Sequence, residues 1–294
     1  MTQPEFSDAG TRRLARAGFD RLEQAVAAST LGAASALAAV AAVGRLRAAL
    51  SGRWPSAGEV AALFGTDRSE SRRTALGIAA NEARNRLVLR RTSGRSLAPF
   101  ASRVRCERAA AAVDLQAPLV VVTAHVGALH LLAAGLDRIW SERLALRWSA
   151  QHQTAPGEQS AFTSGPVVAR TAALQRGLES LRQGKVVVTA LEGPHGSAEP
   201  GRLFGRRLDL GRGGFALARL AGVRIVPVAA LWERDRVRIS FGMPVETTAD
   251  APGEVARWFE ALLRRSPRQM SLGLLRRLLE NPAVTPPGKD ALGV

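Results

Sequence analysis

Residues 118–140 read PLVVVTAHVGALHLLAAGLDRIW. LVVVTA is short, apolar and rich in β-branched residues, the texture of a strand buried on both faces. HLLAAGLDRIW has a helical pattern. Between them lie His125 and Gly127, and the helical stretch opens on His130, so two of the four histidines of the chain flank the strand-to-helix junction. The same alternation continues downstream. LALRWSA reads as a strand and ARTAALQRGLESLRQG as an amphipathic helix ending at Gly184. KVVVTALEG is a second buried strand, and Gly211 to Gly222 a helix closed by glycine. VRIVPVAALWE and DRVRISFG are two more strands, and Arg257 to Leu279 is helical with a break near Pro267. Strands alternating with helices predict an α/β fold, a central and mostly parallel sheet flanked by helices, with a helical region before it.

The N-terminal region has its own character. Ala25 to Val43 is 19 residues without a charge, flanked by Arg13, Arg16 and Arg21 on one side and Arg45, Arg47 and Arg53 on the other. Its length approaches that of a membrane span. Its alanine-rich composition also suits a packed helix in a soluble domain, or a helix lying in a membrane interface with basic flanks. The expected division is residues 1–53 as a helical, membrane-associating segment, 54–280 as the α/β domain, and 281–294 as a disordered tail. No secretory signal is recognisable at the start. At 294 residues and 46% hydrophobic content the chain has enough apolar material for a sizeable core.

The charge is lopsided: 41 Lys+Arg against 25 Asp+Glu, net +16, and only Lys185 and Lys289 are lysines. Such a field attracts anions, so nucleic acid, an anionic membrane surface and phosphorylated substrates all fit. Cys106 is the single cysteine, which excludes an intrachain disulfide. SAGEVAALFGTDRSESRRTAL, residues 56–76, has the outline of a helix-turn-helix, with Ala61 and Gly65 at the spacing of its small residue and turn glycine. The position that should plug the core falls near Ser71, which is polar. A helical hairpin with a solvated basic face is the preferred reading, and no nucleic acid partner is expected.

In an open α/β sheet, ligands bind beyond the carboxyl ends of the strands. One buried strand runs into His125; the other runs into Glu192, followed by Gly193, Pro194 and His195. If those strands are near neighbours, His125 and Glu192 meet at one edge as the base-and-carboxylate unit of general-base catalysis. His125 and His130 are five apart, about 140° on a helix, so they do not share a face. Zinc-binding pairs on a helix use a spacing of four. With no Cys/His cluster either, no metal and no cofactor are expected. His125 fits the turn before the helix, with Gly127 easing the bend, where the helix N-terminus would lower its pKa. An α/β-hydrolase is disfavoured, because the chain has no Gly-x-Ser-x-Gly elbow.

The blocks TAHVGALHLL and GKVVVTALEGPHGSAEPGRLFGRRLDLGRGGFALARLAGVRIVPVAAL resemble the late acyltransferases of bacterial lipid A biosynthesis and their relatives, which include phosphatidylinositol-mannoside acyltransferases, within the lysophospholipid acyltransferase superfamily. The resemblance spans roughly residues 72–241. It implies transfer of a fatty acyl group from a thioester donor, acyl-CoA or acyl carrier protein, to a hydroxyl or amine of a lipid or glycolipid acceptor. His125 is the general base on this reading. Oxyanion donors come from backbone near Gly193 or from an arginine, and Pro194, His195, Gly205, Arg206, Arg207 and Arg212 lie near substrate. It also implies residence at the cytoplasmic face of the inner membrane, peripherally or by the N-terminal helix. One departure matters: His130 stands where the family's His-x4-Asp/Glu motif has its acid. Three explanations stand. Glu192 supplies that carboxylate instead, or His130 bridges to another acid, or the site is degenerate and the protein is a lipid-binding scaffold. A nucleic-acid-binding regulator is the remaining alternative, and it leaves His125 and Glu192 unexplained.

Overall fold

The computed structural model describes residues 8–51, 55–92, 98–107, 113–146, 170–191 and 198–281. Four helices come first: α1 (Asp8–Ala28), α2 (Ala33–Ser51), α3 (Ala57–Phe64) and α4 (Arg68–Thr92), followed by the short α5 (Ala98–Ala101). The α/β part then runs β1 (Val104–Cys106), β2 (Leu119–Thr123), α6 (Leu129–Trp140), β3 (Leu144–Leu146), α7 (Arg170–Arg182) and β4 (Val186–Ala190). It continues through β5 (Ala198–Leu203), β6 (Arg206–Gly211), α8 (Arg212–Ala221), β7 (Ile225–Glu233), β8 (Arg236–Phe241), α9 (Ala251–Arg265) and α10 (Leu272–Glu280). Apart from residue 281, the tail expected over 281–294 lies outside the described residues.

Six strands form one sheet in the order β1-β8-β7-β2-β4-β3. β2 is parallel to both β4 and β7, β3 is parallel to β4, and β1 to β8; only the β7–β8 hairpin is antiparallel. The α/β expectation therefore holds, with one antiparallel pair. β2 is buried along its whole length and Val186–Val188 of β4 are buried too. The Val-rich pattern follows from position, since these strands are covered on both faces. Val120, Val122 and Val187 pack toward α8, α9 and α10 in one hydrophobic cluster. Val121, Val186 and Val188 pack toward α2, α4 and α6 in the other.

The apolar run Ala25–Val43 is not one helix. α1 ends at Ala28 and α2 begins at Ala33, so the run is divided by the segment Ser29–Gly32. The reason is visible in α4: the Arg91 guanidinium donates to the carbonyls of Val26, Ala27, Ser29 and Leu31, which ties down the end of α1. α2 lays Ala36, Leu37 and Val40 into the cluster shared with α4, α6 and β7. Ala33–Leu50 is the one helical stretch among the described residues long and apolar enough to cross a membrane, with mean hydropathy 1.4.

α3 and α4 realise the hairpin of residues 56–76. Ser56 and Glu59 form a reciprocal capping box, and Gly65 closes α3 in the left-handed region at φ 67°. Ser71 is fully buried despite its polarity, because its hydroxyl lies 2.8 Å from that of Thr66. Arg68, Arg72 and Arg73 are exposed, the solvated basic face expected of the hairpin, while further along α4 Ile78, Ala79, Ala80, Ala83, Leu87 and Val88 bury a broad face.

The segment AEPGRLFGRRLDLG forms the antiparallel hairpin β5–β6, with Phe204 and Gly205 at its turn, although its alternation is too weak to predict strands. The helix expected from Arg257 begins earlier, at Ala251, with a proline in its first turn, where a missing N–H costs nothing.

Candidate functional site

β2 and β4 are adjacent and in register, with Thr123 opposite Ala190. The condition for a strand-end site is therefore met: His125 and Leu191 both follow closely on the carboxyl ends of neighbouring parallel strands. The Leu191 N–H donates to the Thr123 carbonyl, and the Gly211 N–H to the Leu191 carbonyl. The start of α8 is thus tied to the same edge. Arg212 opens that helix and is exposed. Gly214, in the first turn, permits the contact: a Cβ there would lie 2.4 Å from the Thr189 hydroxyl. Glu192, Gly193, Pro194 and His195 lie outside the described residues.

The turn carrying His125 is held by residues far away in sequence. The Gly127 N–H donates to the Gln269 carbonyl at 2.6 Å, and the Ala128 N–H to the Ala230 carbonyl at 2.7 Å. Asn85 Nδ2 donates to the Gly127 carbonyl at 2.8 Å, and Asn85 Oδ1 accepts from the Trp232 indole at 3.1 Å. The Gln269 side chain clasps both backbone groups of Trp232, at 2.9 and 2.8 Å. Gly127 takes φ 60°, the bend expected of it. His125 itself is half-buried at the rim. Asn85 and Gln269 escape a sequence reading. A lone amide in a helix or a turn carries no periodic signal that distinguishes a buried clasp from a solvated side chain.

His130 falls in the first turn of α6, with its Nδ1 enclosed. The pKa of His130 is lowered to about 4, because burial disfavours the imidazolium and the nearby His125 adds to that. His130 is therefore a neutral ring at physiological pH and supplies no negative charge. An unfolded His130 takes up its proton near pH 6.5, whereas the folded one resists until about pH 4. The unfolded chain binds more protons in that window, so stability is intact above pH 6.5 and declines toward pH 4, by on the order of 3 kcal/mol. Denaturant titrations across pH 7 to 4 should show a steeper loss for the wild type than for His130→Gln. Parallel curves would mean that His130 titrates normally.

The remaining candidates separate. Gly205 is the turn of the β5–β6 hairpin, at φ 70°. Arg206 donates to the carbonyls of Leu278 and Asn281, closing the C-terminal end of α10. Arg207 pairs with Asp209 at 3.4 Å, both exposed. Gly205, Arg206 and Arg207 sit at the hairpin tip, roughly 15 Å along β6 from Gly211. Of the named arginines only Arg212 is at the strand-end edge. Among the described residues, no group of three or more His, Cys, Asp and Glu side chains is arranged to hold a metal.

No family model and no curated protein matches the chain. Among solved structures, it is similar to the 1-acyl-sn-glycerophosphate (LPA) acyltransferase PlsC from Thermotoga maritima, with TM-score 0.41 and 16% identity, over 80% of this chain and 98% of that one.

Proposed function

We propose that the protein is an acyltransferase that moves a fatty acyl group from a thioester donor to a hydroxyl or amine of a lipid or glycolipid acceptor. The observation that carries this reading is the pinned turn that holds His125 at the carboxyl end of β2, beside the in-register end of β4. Glu192 follows Leu191 directly in the chain and is the proposed carboxylate partner. In the reaction His125 takes the proton of the acceptor hydroxyl while its oxygen attacks the thioester carbonyl. The tetrahedral intermediate collapses with loss of the thiolate, which recovers the proton from the imidazolium. The acyl–sulfur bond breaks, the acyl–oxygen bond forms, and no redox change occurs. Oxyanion donors are assigned to backbone near Gly193, or to Arg212. The net charge of +16 supports residence at an anionic membrane surface, on the cytoplasmic face.

The test is release of free thiol from acyl-CoA by purified protein supplied with a membrane lipid extract. His125→Ala should lower the rate by roughly 10²–10⁴-fold, the usual worth of a general base, and Glu192→Gln should lower it too. An unaffected His125→Ala variant would remove the proposed mechanism. One observation favours a second reading. His130 is neutral, with its Nδ1 enclosed, where the resembled family carries an acid, which suits a catalytically silent lipid-binding protein on this fold. That reading predicts no thiol release with either acyl-CoA or acyl carrier protein, while lipid binding persists.

A further inference from the structure

Beside the strand-end site lies a cleft of about 790 Å³ between the β5–β6 hairpin, α8 and the start of α9. Arg202 lines it from β5, Arg212 and Arg219 from α8, and Arg257 from α9. Among the described lining residues the only carboxylate is Asp250, which lies 2.7 Å from the Arg257 guanidinium. Thr247 adds a hydroxyl. All four arginines are exposed side chains brought together from three separate elements. The named lining side chains carry four guanidinium groups and one carboxylate, with the Arg257 charge met by Asp250.

The cleft has a direction. Arg212 follows Gly211, whose N–H is bonded to the Leu191 carbonyl at the end of β4. Arg219 is seven residues further along α8, about 10 Å from Arg212. A ligand entering here has one end at the strand-end edge and the other among arginines two helical turns away. Guanidinium groups recognise phosphate oxygens through paired N–H donors, which a point charge does not reproduce.

We infer that this cleft binds the phosphate groups of an elongated substrate whose reacting end lies at His125. The inference rests on the acyl-transfer reading for the position of the reacting end, but the binding itself does not require turnover. Phosphate of this kind has two sources: the nucleotide end of a coenzyme A thioester, or the headgroup of a phospholipid.

Binding measurements on the full chain distinguish them. The probes are coenzyme A, followed by calorimetry, and phosphatidylcholine vesicles containing phosphatidylglycerol, followed by co-sedimentation. Three variants are compared: Arg202→Ala/Arg219→Ala, the charge-preserving Arg202→Lys/Arg219→Lys, and Arg236→Ala, an exposed arginine at the start of β8. The double alanine variant should bind one probe roughly tenfold to a hundredfold more weakly, the scale of lost charge-assisted hydrogen bonds. The double lysine variant should retain part of that affinity, and Arg236→Ala should bind like the wild type. A loss confined to coenzyme A identifies the nucleotide source, and a loss confined to vesicles the headgroup source. The inference is overturned if the folded double alanine variant binds both probes like the wild type, if Arg236→Ala loses as much, or if the wild type binds neither. His125→Ala should bind normally, so failure of the catalytic reading and failure of this one give different results.

Discussion

Gly127→Ala is expected to destabilise the protein by about 3–5 kcal/mol and to abolish any activity that depends on His125. Two effects add. At φ 60° an L residue pays for its Cβ, on the order of 1–2 kcal/mol. That Cβ would also lie 2.1 Å from the Ala230 carbonyl oxygen and 2.9 Å from Gln269 Oε1. The carbonyl has no freedom to retreat, because it belongs to β7 and accepts the Ala128 N–H. The turn must therefore move, and His125 with it. Gly65→Ala is the matched comparison: its φ is 67°, but nothing lies within 4 Å of the added Cβ, so only the backbone cost remains. Denaturant midpoints of the two variants decide the matter. If Gly127→Ala costs no more than Gly65→Ala, the close approach of the turn to β7 is wrong.

Glu23→Ala is expected to cost about 3 kcal/mol. Glu23 is 1% exposed, on α1, and faces Arg86 at 2.7 Å, Arg90 at 3.5 Å and Arg47 at 3.7 Å. Arg86 makes two hydrogen bonds to the carboxylate. Burial works against the Arg86 charge, but those bonds together with the negative charges of Glu23, Glu82 and Asp20 outweigh it, and its pKa is raised. Removing the carboxylate leaves three like charges facing one another across α2 and α4. Those arginines remain partly solvated, which places the cost at the low end for a broken buried ion pair. Asp20→Ala is the contrast: Asp20 is 42% exposed and pairs with Arg47, so its loss should stay below about 1 kcal/mol. Equal midpoint shifts for the two variants would show that Glu23 is solvated and that α1 is not anchored through it.

These two positions differ in how legible they are. Gly127 stands between an apolar β-branched run and a helical pattern, and its bend is readable from its immediate neighbours. Glu23 is an ordinary acid in a charged helix. Nothing local distinguishes it from the exposed Gln24 beside it or from any solvated carboxylate. Its burial exists only because α2 and α4 close over it. The apolar stretch from Ala25 to Val43 misleads for a related reason. Composition reports that it is uncharged, but its division into two helices depends on Arg91, 60–65 residues further along, bonding the carbonyls at the end of α1.

Local pattern was enough to establish the alternation of buried strands and amphipathic helices, the position of His125 in the turn after β2, and the glycines that end α7 and α8. All of these follow from side-chain patterns with periods of two and 3.6 residues, or from the left-handed backbone that glycine adopts without strain. The folded chain was needed to learn that β2 and β4 are neighbours in register, that Gln269 and Asn85 clasp the His125 turn, and that Arg206 closes α10. It alone gathers Arg202, Arg212, Arg219 and Arg257 in one cleft. Each of those is a meeting of segments distant in the chain. Such meetings are selected by how whole helices and sheets bury their apolar faces, and a local pattern carries no record of its partner.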